Sequence, residues 1–418
     1  MRMPRGCPRV AISSHDTYGL GHLTRSARIA RGIAAGVPGA SVLILTGSPI
    51  AHRFTFPPGV DYLKLPSVVK AGPETYVARE LKISNSRVRR LRSRLILDAL
   101  RVYDPHLFLV DNVPLGMKGE LLPSLVWLRK QRPRTYIQLN MRDILDAPGA
   151  ILASWERQGI HAALADFYDA IEIFGKRRLH DSVRAYRLPK DKSSFLGYIA
   201  PFAVELEAGP PLPPSRNGHA RILATAGGGG DGGELLACAI ELQRKLGTKS
   251  PYQFHIVTGP LMPAGEKAEL RKRMRGVRGV TLHDYVVGLP SWMAECDAVL
   301  SMGGYNTLCE VLSVAQRSIV VPRIHPRREQ EIRARTLEGR GWIKVLHPEA
   351  LNPLSLDRRL QETLQVAPLT NETLPMTGIP RLQRRIRRIV KSIFGDGARR
   401  AGAAASKDAA GASIPPPS

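Results

Sequence analysis

Acidic residues are in short supply in this 418-residue chain: 36 Asp and Glu stand against 61 Lys and Arg, leaving a formal net charge of +25. An anionic partner is therefore an expectation, with arginine serving as generic surface charge as the plainer account. Cysteine is sparse as well. Cys7, Cys238, Cys296 and Cys309 show no paired spacing, which speaks against a disulfide framework or a cysteine zinc site and for a reducing compartment. No run approaches the ~18 apolar residues of a membrane span, and "MRMPRGCPRVAIS" lacks the apolar stretch of a secretory signal. A cytoplasmic protein is expected, at most resting on the inner face of the cell membrane. Aromatic residues make up only 6% of the chain, and the arginine runs at 86–94 and 381–391 have none interleaved, so nucleic acid is not an expected partner despite the charge. There is no Asp-x-Asp pair or histidine-rich cluster to suggest a catalytic metal, no Gly-Lys-Ser/Thr of a Walker loop and no Gly-x-Ser-x-Gly elbow.

Short apolar runs alternating with helical patterns are what the chain does contain. "RVAIS" (9–13), "SVLILT" (41–46), "LFLVDN" (107–112), "TYIQLN" (135–140) and "AIEIFG" (170–175) read as buried parallel strands. A Pro-rich stretch then interrupts the pattern, and the alternation restarts at "RILATA" (221–226). The reading is an α/β protein of two Rossmann-like doubly wound domains facing across a cleft. An N-terminal domain spans 1–200, a linker 201–219 and a second domain 220–370. A basic amphipathic helix at 371–395 and a disordered, low-complexity tail at 396–418 complete the chain. The apolar face of that helix, from Leu382 to Ile393, either docks on the body or lies on an anionic membrane.

Three strand-to-helix turns carry the chemistry. In "SSHDTYGLGHLTR", Gly19 and Gly21 allow close backbone approach at a helix start, but Thr24 takes the third glycine position of a dinucleotide fingerprint and no acidic residue ends the second strand. In "ATAGGGGDGGELL", Gly228, Gly229 and Gly230 remove side chains that would block a phosphate, and Asp231 with Glu234 has the spacing of a capping box. In "SMGGYNTLCE", Gly303 and Gly304 end a strand, and Asn306, Thr307 and Glu310 come next on one helical face, where a carboxylate could accept hydrogen bonds from ribose hydroxyls.

"GGYNTLCEVLS" and, after it, "VPRIHPRREQEIRA" closely resemble the C-terminal half of family 28 glycosyltransferases of the GT-B fold, similar to the N-acetylglucosaminyltransferases of the peptidoglycan precursor. The likeness covers about 220–347 and extends more loosely to "YGLGHLTR". "HPRREQ" is far more basic than the family pattern, which points to a less characterised bacterial branch and leaves sugar and acceptor open. The resemblance implies that Glu310 binds ribose, Glu329 and Gln330 hold the donor sugar, and Gly228 to Gly230 lie against the diphosphate. It also implies that the backbone at Tyr285 and Val286 meets the base and that His22 faces the cleft from the other domain. The activity so implied is metal-independent, inverting transfer of an N-acetylhexosamine from a UDP-sugar, the only co-substrate, to a lipid-linked or polysaccharide hydroxyl. His22 is the first candidate base, because imidazole titrates near working pH, with Asp143 and Asp16 in reserve. A nucleotide-sugar hydrolase on the same scaffold is the alternative.

Overall fold

The computed structural model describes residues 7–15, 20–70, 76–207, 209–215, 218–314, 316–369 and 374–410, side chains at 70 and 395–410 excepted. The first sheet is built from β1 (Arg9–Ser14), β2 (Ser41–Thr46), β3 (Val60–Lys64), β6 (Leu107–Asp111), β7 (Tyr136–Arg142), β8 (Ala170–Phe174) and β9 (Ser193–Phe195), and β4 (Val68–Lys70) pairs with β5 (Tyr76–Ala78) as a separate antiparallel ribbon. Its seven strands run β3-β2-β1-β6-β7-β8-β9, and every pairing is parallel. Helices cover both faces of a parallel sheet, so its strands read as unbroken apolar runs, and all five residues of β6 are buried.

The second sheet comprises β10 (Ala220–Thr225), β11 (Tyr252–Val257), β12 (Val280–His283), β13 (Ala298–Ser301), β14 (Ser318–Val320) and β15 (Lys344–Val345) in the order β12-β11-β10-β13-β14-β15, again wholly parallel. The order reverses beside β1 in one sheet and beside β10 in the other. At such switch points the carboxyl ends of the strands open a crevice for ligands. β3, β9 and the β4–β5 ribbon are elements the sequence pattern did not disclose.

Between the two sheets the linker carries a short helix, Ala203–Glu207. The Pro353–Leu364 helix closes the second layer, held by a capping box at Asn352. The final helix, Gly378–Ala410, then returns to the first domain. Its Leu382 and Ile386 are buried against Ile29 and Ile33 of the Gly21–Gly36 helix, in a cluster that also takes Tyr305, Leu308 and Leu312 from the second domain. One apolar cluster thus joins both domains and the C-terminal helix. Of the two expectations for this helix, docking is what its apolar face does, while Arg381, Arg384, Arg387, Arg388 and Lys391 remain on the other side. The helix also extends past the expected boundary at 395. Alanine, the strongest helix former, dominates 401–410 and favours continuation over the disorder its low complexity suggests. Residues 411–418 lie outside the described residues.

Candidate active site

A cavity of about 590 Å³ lies between the two sheets and is lined from both domains. From the second domain it receives the turn Gly228 to Gly230, then Tyr285 and Val286, then Gly304, Asn306, Thr307 and Glu310, and finally Glu329 and Gln330. From the first domain come Gly21, Arg25, Arg28 and Arg142, and from the linker Glu205. Gly303 stands just behind this wall, in the left-handed region at φ +77, where a Cβ would come within 2.6 Å of Val320 Cγ1. Asp16 and Gly19 lie outside the described residues. Among the described residues no group of three or more His, Cys, Asp or Glu side chains is placed to hold a metal ion.

The start of the Gly21–Gly36 helix sets His22 beside the cavity. Its Nδ1 is 2.5 Å from Asp111 Oδ2 at the end of β6, and Arg25, one turn further along, donates to Asp111 Oδ1 from Nε at 3.1 Å and also through Nη2. Burial favours the neutral imidazole and brings the pKa of His22 down to about 4, against the pull of Asp111. Burial opposes the charge on Asp111 too, yet Arg25 and His22 hold that carboxyl well below the usual range. With Asp111 ionised, Nδ1 carries the hydrogen donated to it, and Nε2 keeps its lone pair as a proton acceptor. Asp111 was not among the expected site residues. The signal that could have found it is a carboxylate at the carboxyl end of a central parallel strand, in "FLVDN".

Neither His22 nor Asp143 is among the residues that line the cavity; His22 sits beside lining residues Gly21 and Arg25, whereas Asp143 is taken up by an interdomain contact. Arg333 of the second domain grips it from Nη2 at 2.8 Å and Nε at 3.1 and 3.2 Å, and Tyr198 Oη donates to Oδ2 at 3.3 Å. Both charged side chains are almost fully buried, so Asp143 acts as an interdomain clasp, and the expectation that it is a reserve base is corrected: its lone pairs are already occupied. Asp146 reinforces the same seam by accepting from Arg328 N at 2.8 Å. Asn306 adds a third link, donating to Gly21 O at 2.8 Å.

Glu310 lines the cavity with its side chain 13% exposed, and its Oε1 accepts from Arg28 Nη2 at 2.7 Å. Arg28 is held at the same time by Glu205, at 2.6 Å through Nη2 and 2.9 Å through Nε. Burial raises the Glu310 carboxyl while Arg28 opposes that rise. The interface therefore hands the carboxylate expected to bind ribose a protein cation from the opposite domain. The arginine spacing in "HLTRSAR" places Arg25 and Arg28 three apart on one helical face, which is the only hint the sequence offers of this arrangement.

Glu329 and Gln330 begin the Glu329–Glu338 helix. Arg323 pairs with Glu329 Oε1 at 2.5 Å and with Asp231 at 2.8 Å, and its backbone N–H donates to Gln330 Oε1 at 2.9 Å. Burial works against the Glu329 charge, but Arg323 and its neighbours hold the carboxyl below its ordinary value. Asp231 is thereby drawn away from the capping box expected for it. The Gly233–Leu246 helix is capped by Gly232 in the left-handed conformation, with no side-chain bond. In the glycine turn itself, Gly229 has φ +85 and a Cβ there would meet Thr258 O at 2.5 Å, so only glycine fits. Gly227 N donates to Thr225 Oγ1 and Gly229 N to Ala226 O, so these two amides are already engaged within the turn.

Two Rossmann-like domains meeting across a cleft lined in this way make up the GT-B fold of glycosyltransferases. Solved structures bear out the architecture across nearly the whole chain. The glycotransferase of kitacinnamycin superposes with a TM-score of 0.57 at 16% identity, covering 93% of this chain and 96% of that one. The UDP-GlcNAc 2-epimerase from Neisseria meningitidis bound to UDP-GlcNAc does so at 0.55 and 15%, covering 92% and 99%. Sequence narrows the class for the second half: residues 225–377 match the glycosyltransferase family 28 C-terminal domain. A curated relative from Alkaliphilus metalliredigens, a UDP-N-acetylglucosamine--N-acetylmuramyl-(pentapeptide) pyrophosphoryl-undecaprenol N-acetylglucosamine transferase, is 23% identical over 163 residues, 36% of this chain. The match spans 44% of that relative's length.

Proposed function

We propose that this protein is an inverting glycosyltransferase that moves a sugar, with an N-acetylhexosamine as the expected group, from a UDP-sugar to a hydroxyl of a lipid-linked or polysaccharide acceptor without a metal. The observation that carries the reading is the cavity into which both sheets direct their strand ends. It has a buried His–Asp pair beside it on one side and a glycine turn, a ribose-ready carboxylate and the Glu329–Gln330 pair on the other. The family match falls on the half that would hold the donor, and the relative's name supplies the UDP-sugar and the lipid-linked acceptor.

In this scheme the acceptor oxygen forms a bond to the anomeric carbon as the bond from that carbon to the diphosphate breaks. The acceptor's proton passes to Nε2 of His22, whose ring Asp111 orients and whose imidazolium Asp111 then stabilises. Negative charge growing on the diphosphate is met by the N-terminus of the Gly233–Leu246 helix. Glu310 accepts from the ribose hydroxyls in place of Arg28, and Glu329 and Gln330 contact the sugar. We place the protein in the cytoplasm, with the arginine face of the final helix drawn to anionic lipid at about 1 kcal/mol per basic residue near the surface. Co-sedimentation with anionic vesicles, lost at high salt, tests that contact.

Calorimetry with UDP, UDP-N-acetylglucosamine, GDP and dTDP in the presence of a chelator tests the core of the reading, with a second step in which the bound sugar nucleotide is incubated without acceptor. Tight UDP binding with the sugar left intact supports a transferase. Steady release of free sugar means that water takes the acceptor's place, as in a hydrolase, and no binding to any nucleotide refutes both.

A further inference from the structure

Most buried or half-buried guanidiniums around the cavity have a carboxylate. Arg25 has Asp111, Arg28 has Glu205 and Glu310, Arg323 has Asp231 and Glu329, and Arg333 has Asp143. Arg142, at the end of β7, does not. It lines the same cavity, yet its side chain makes no ion pair and no hydrogen bond with any described residue, and its Nε is sealed from solvent without a partner. Only its backbone N–H is engaged, donating to Asn112 Oδ1 at 3.3 Å. Burial and then Arg25 pull the guanidinium down to about 10, with Arg333 and Arg327 adding to the effect and Glu329 opposing it. A half-buried cation without a carboxylate partner, its Nε shut off from solvent, is costly unless an anion arrives to share the site.

The location narrows what that anion would be. Arg142 ends β7 and shares the cavity wall with Arg25, whose partner Asp111 holds His22, and with Glu329 and Gln330, the proposed sugar contacts. We propose that Arg142 binds an anionic group, a carboxylate or phosphate, that the substrate carries close to the reacting carbon. Two sources share this chemistry: a phosphate on the acceptor near the attacking hydroxyl, and the carboxylate of a uronic acid as the donor sugar. Either would present two oxygens to the planar guanidinium fork, which a neutral hexosamine cannot. The inference rests on the glycosyltransferase reading and sharpens its substrate class.

The test is calorimetry on the full chain and on Arg142→Gln with four probes: UDP, UDP-N-acetylglucosamine, UDP-glucuronic acid, and inorganic pyrophosphate added to the UDP-saturated protein. The variant is expected to bind UDP and UDP-N-acetylglucosamine as the parent does. It should lose at least about tenfold either on UDP-glucuronic acid, which assigns the anion to the donor, or on pyrophosphate, which assigns it to the acceptor. Arg142→Lys, which keeps the charge without the fork, should fall between the two. A tenfold loss on UDP itself would place Arg142 on the donor diphosphate and overturn the proposal, as would equal affinities of parent and variant for all four probes. Thermal melting separates a structural role: relieving an unpaired, half-buried charge leaves Tm equal or higher, whereas a fall of more than about 5 °C in Arg142→Gln also overturns it. Failure of the parent to bind UDP would instead refute the glycosyltransferase reading, and this inference with it.

Discussion

Replacing Glu310 with alanine isolates the donor half of the site, because the structure shows how the protein would absorb the change. Glu310 shares Arg28 with Glu205, and Arg28 keeps its bonds of 2.6 to 3.1 Å to Glu205 when Glu310 is removed. No buried cation is stranded, so the cost to stability should stay near ~1 kcal/mol. The ligand fares worse. A ribose hydroxyl that donates to an ionised carboxylate in a buried site contributes about 1.5–3 kcal/mol, so Kd for UDP should rise roughly 10- to 150-fold. Isothermal calorimetry reads this directly, and 2′-deoxy-UDP sharpens it: the parent should prefer UDP to the deoxy compound, whereas Glu310→Ala should bind the two alike. Unchanged UDP affinity in a variant of parental Tm would refute the assignment of Glu310 to ribose, and with it the claim that Arg28 holds the ligand's place.

Three further outcomes are expected. His22 is neutral down to about pH 4, so its base form is present across pH 5–8, and the acid limb of kcat/KM should bend near 4; a bend near 6.5 would mean that the imidazole is not buried against Asp111. Because its folded pKa lies below the unfolded value, the unfolded chain takes up the proton first and stability is lost as pH falls from about 6.5 towards 4, a slope that His22→Ala should flatten while lowering kcat roughly 10²- to 10⁴-fold. Asp143→Asn removes the counter-charge of a buried arginine and should cost about 3–5 kcal/mol in urea unfolding; an unchanged midpoint would show that Arg333 is not confined by that pair.

The elements legible in the chain are those whose signal is local. Strands such as 41–46 and 107–111 are apolar runs because parallel strands are buried on both faces, and the Asn306, Thr307 and Glu310 face comes from helical spacing alone. β3 is not legible in this way, since "VDYLK" lies at the sheet edge with no residue fully buried, and its pattern is correspondingly mixed. The capping box expected at Asp231 fails for a different reason: the local spacing is right, but Arg323, 92 residues away, competes for the same carboxylate.

Sequence by itself determined the alternation of strand and helix, the glycine turns at strand ends and the arginine excess, since each depends on neighbours within a few residues. Only the tertiary structure decided which charges meet. Asp111 reaches His22 across 89 residues, Asp143 is taken by Arg333 from the other domain across 190, and the linker delivers Glu205 to Arg28. Ion pairing in a buried cleft depends on distance in space and on desolvation, neither of which is written in residue order, so residue order could name His22 but not its partner. It is also why Arg142, one arginine among many in the chain, stands out only once its neighbours are known to be spoken for.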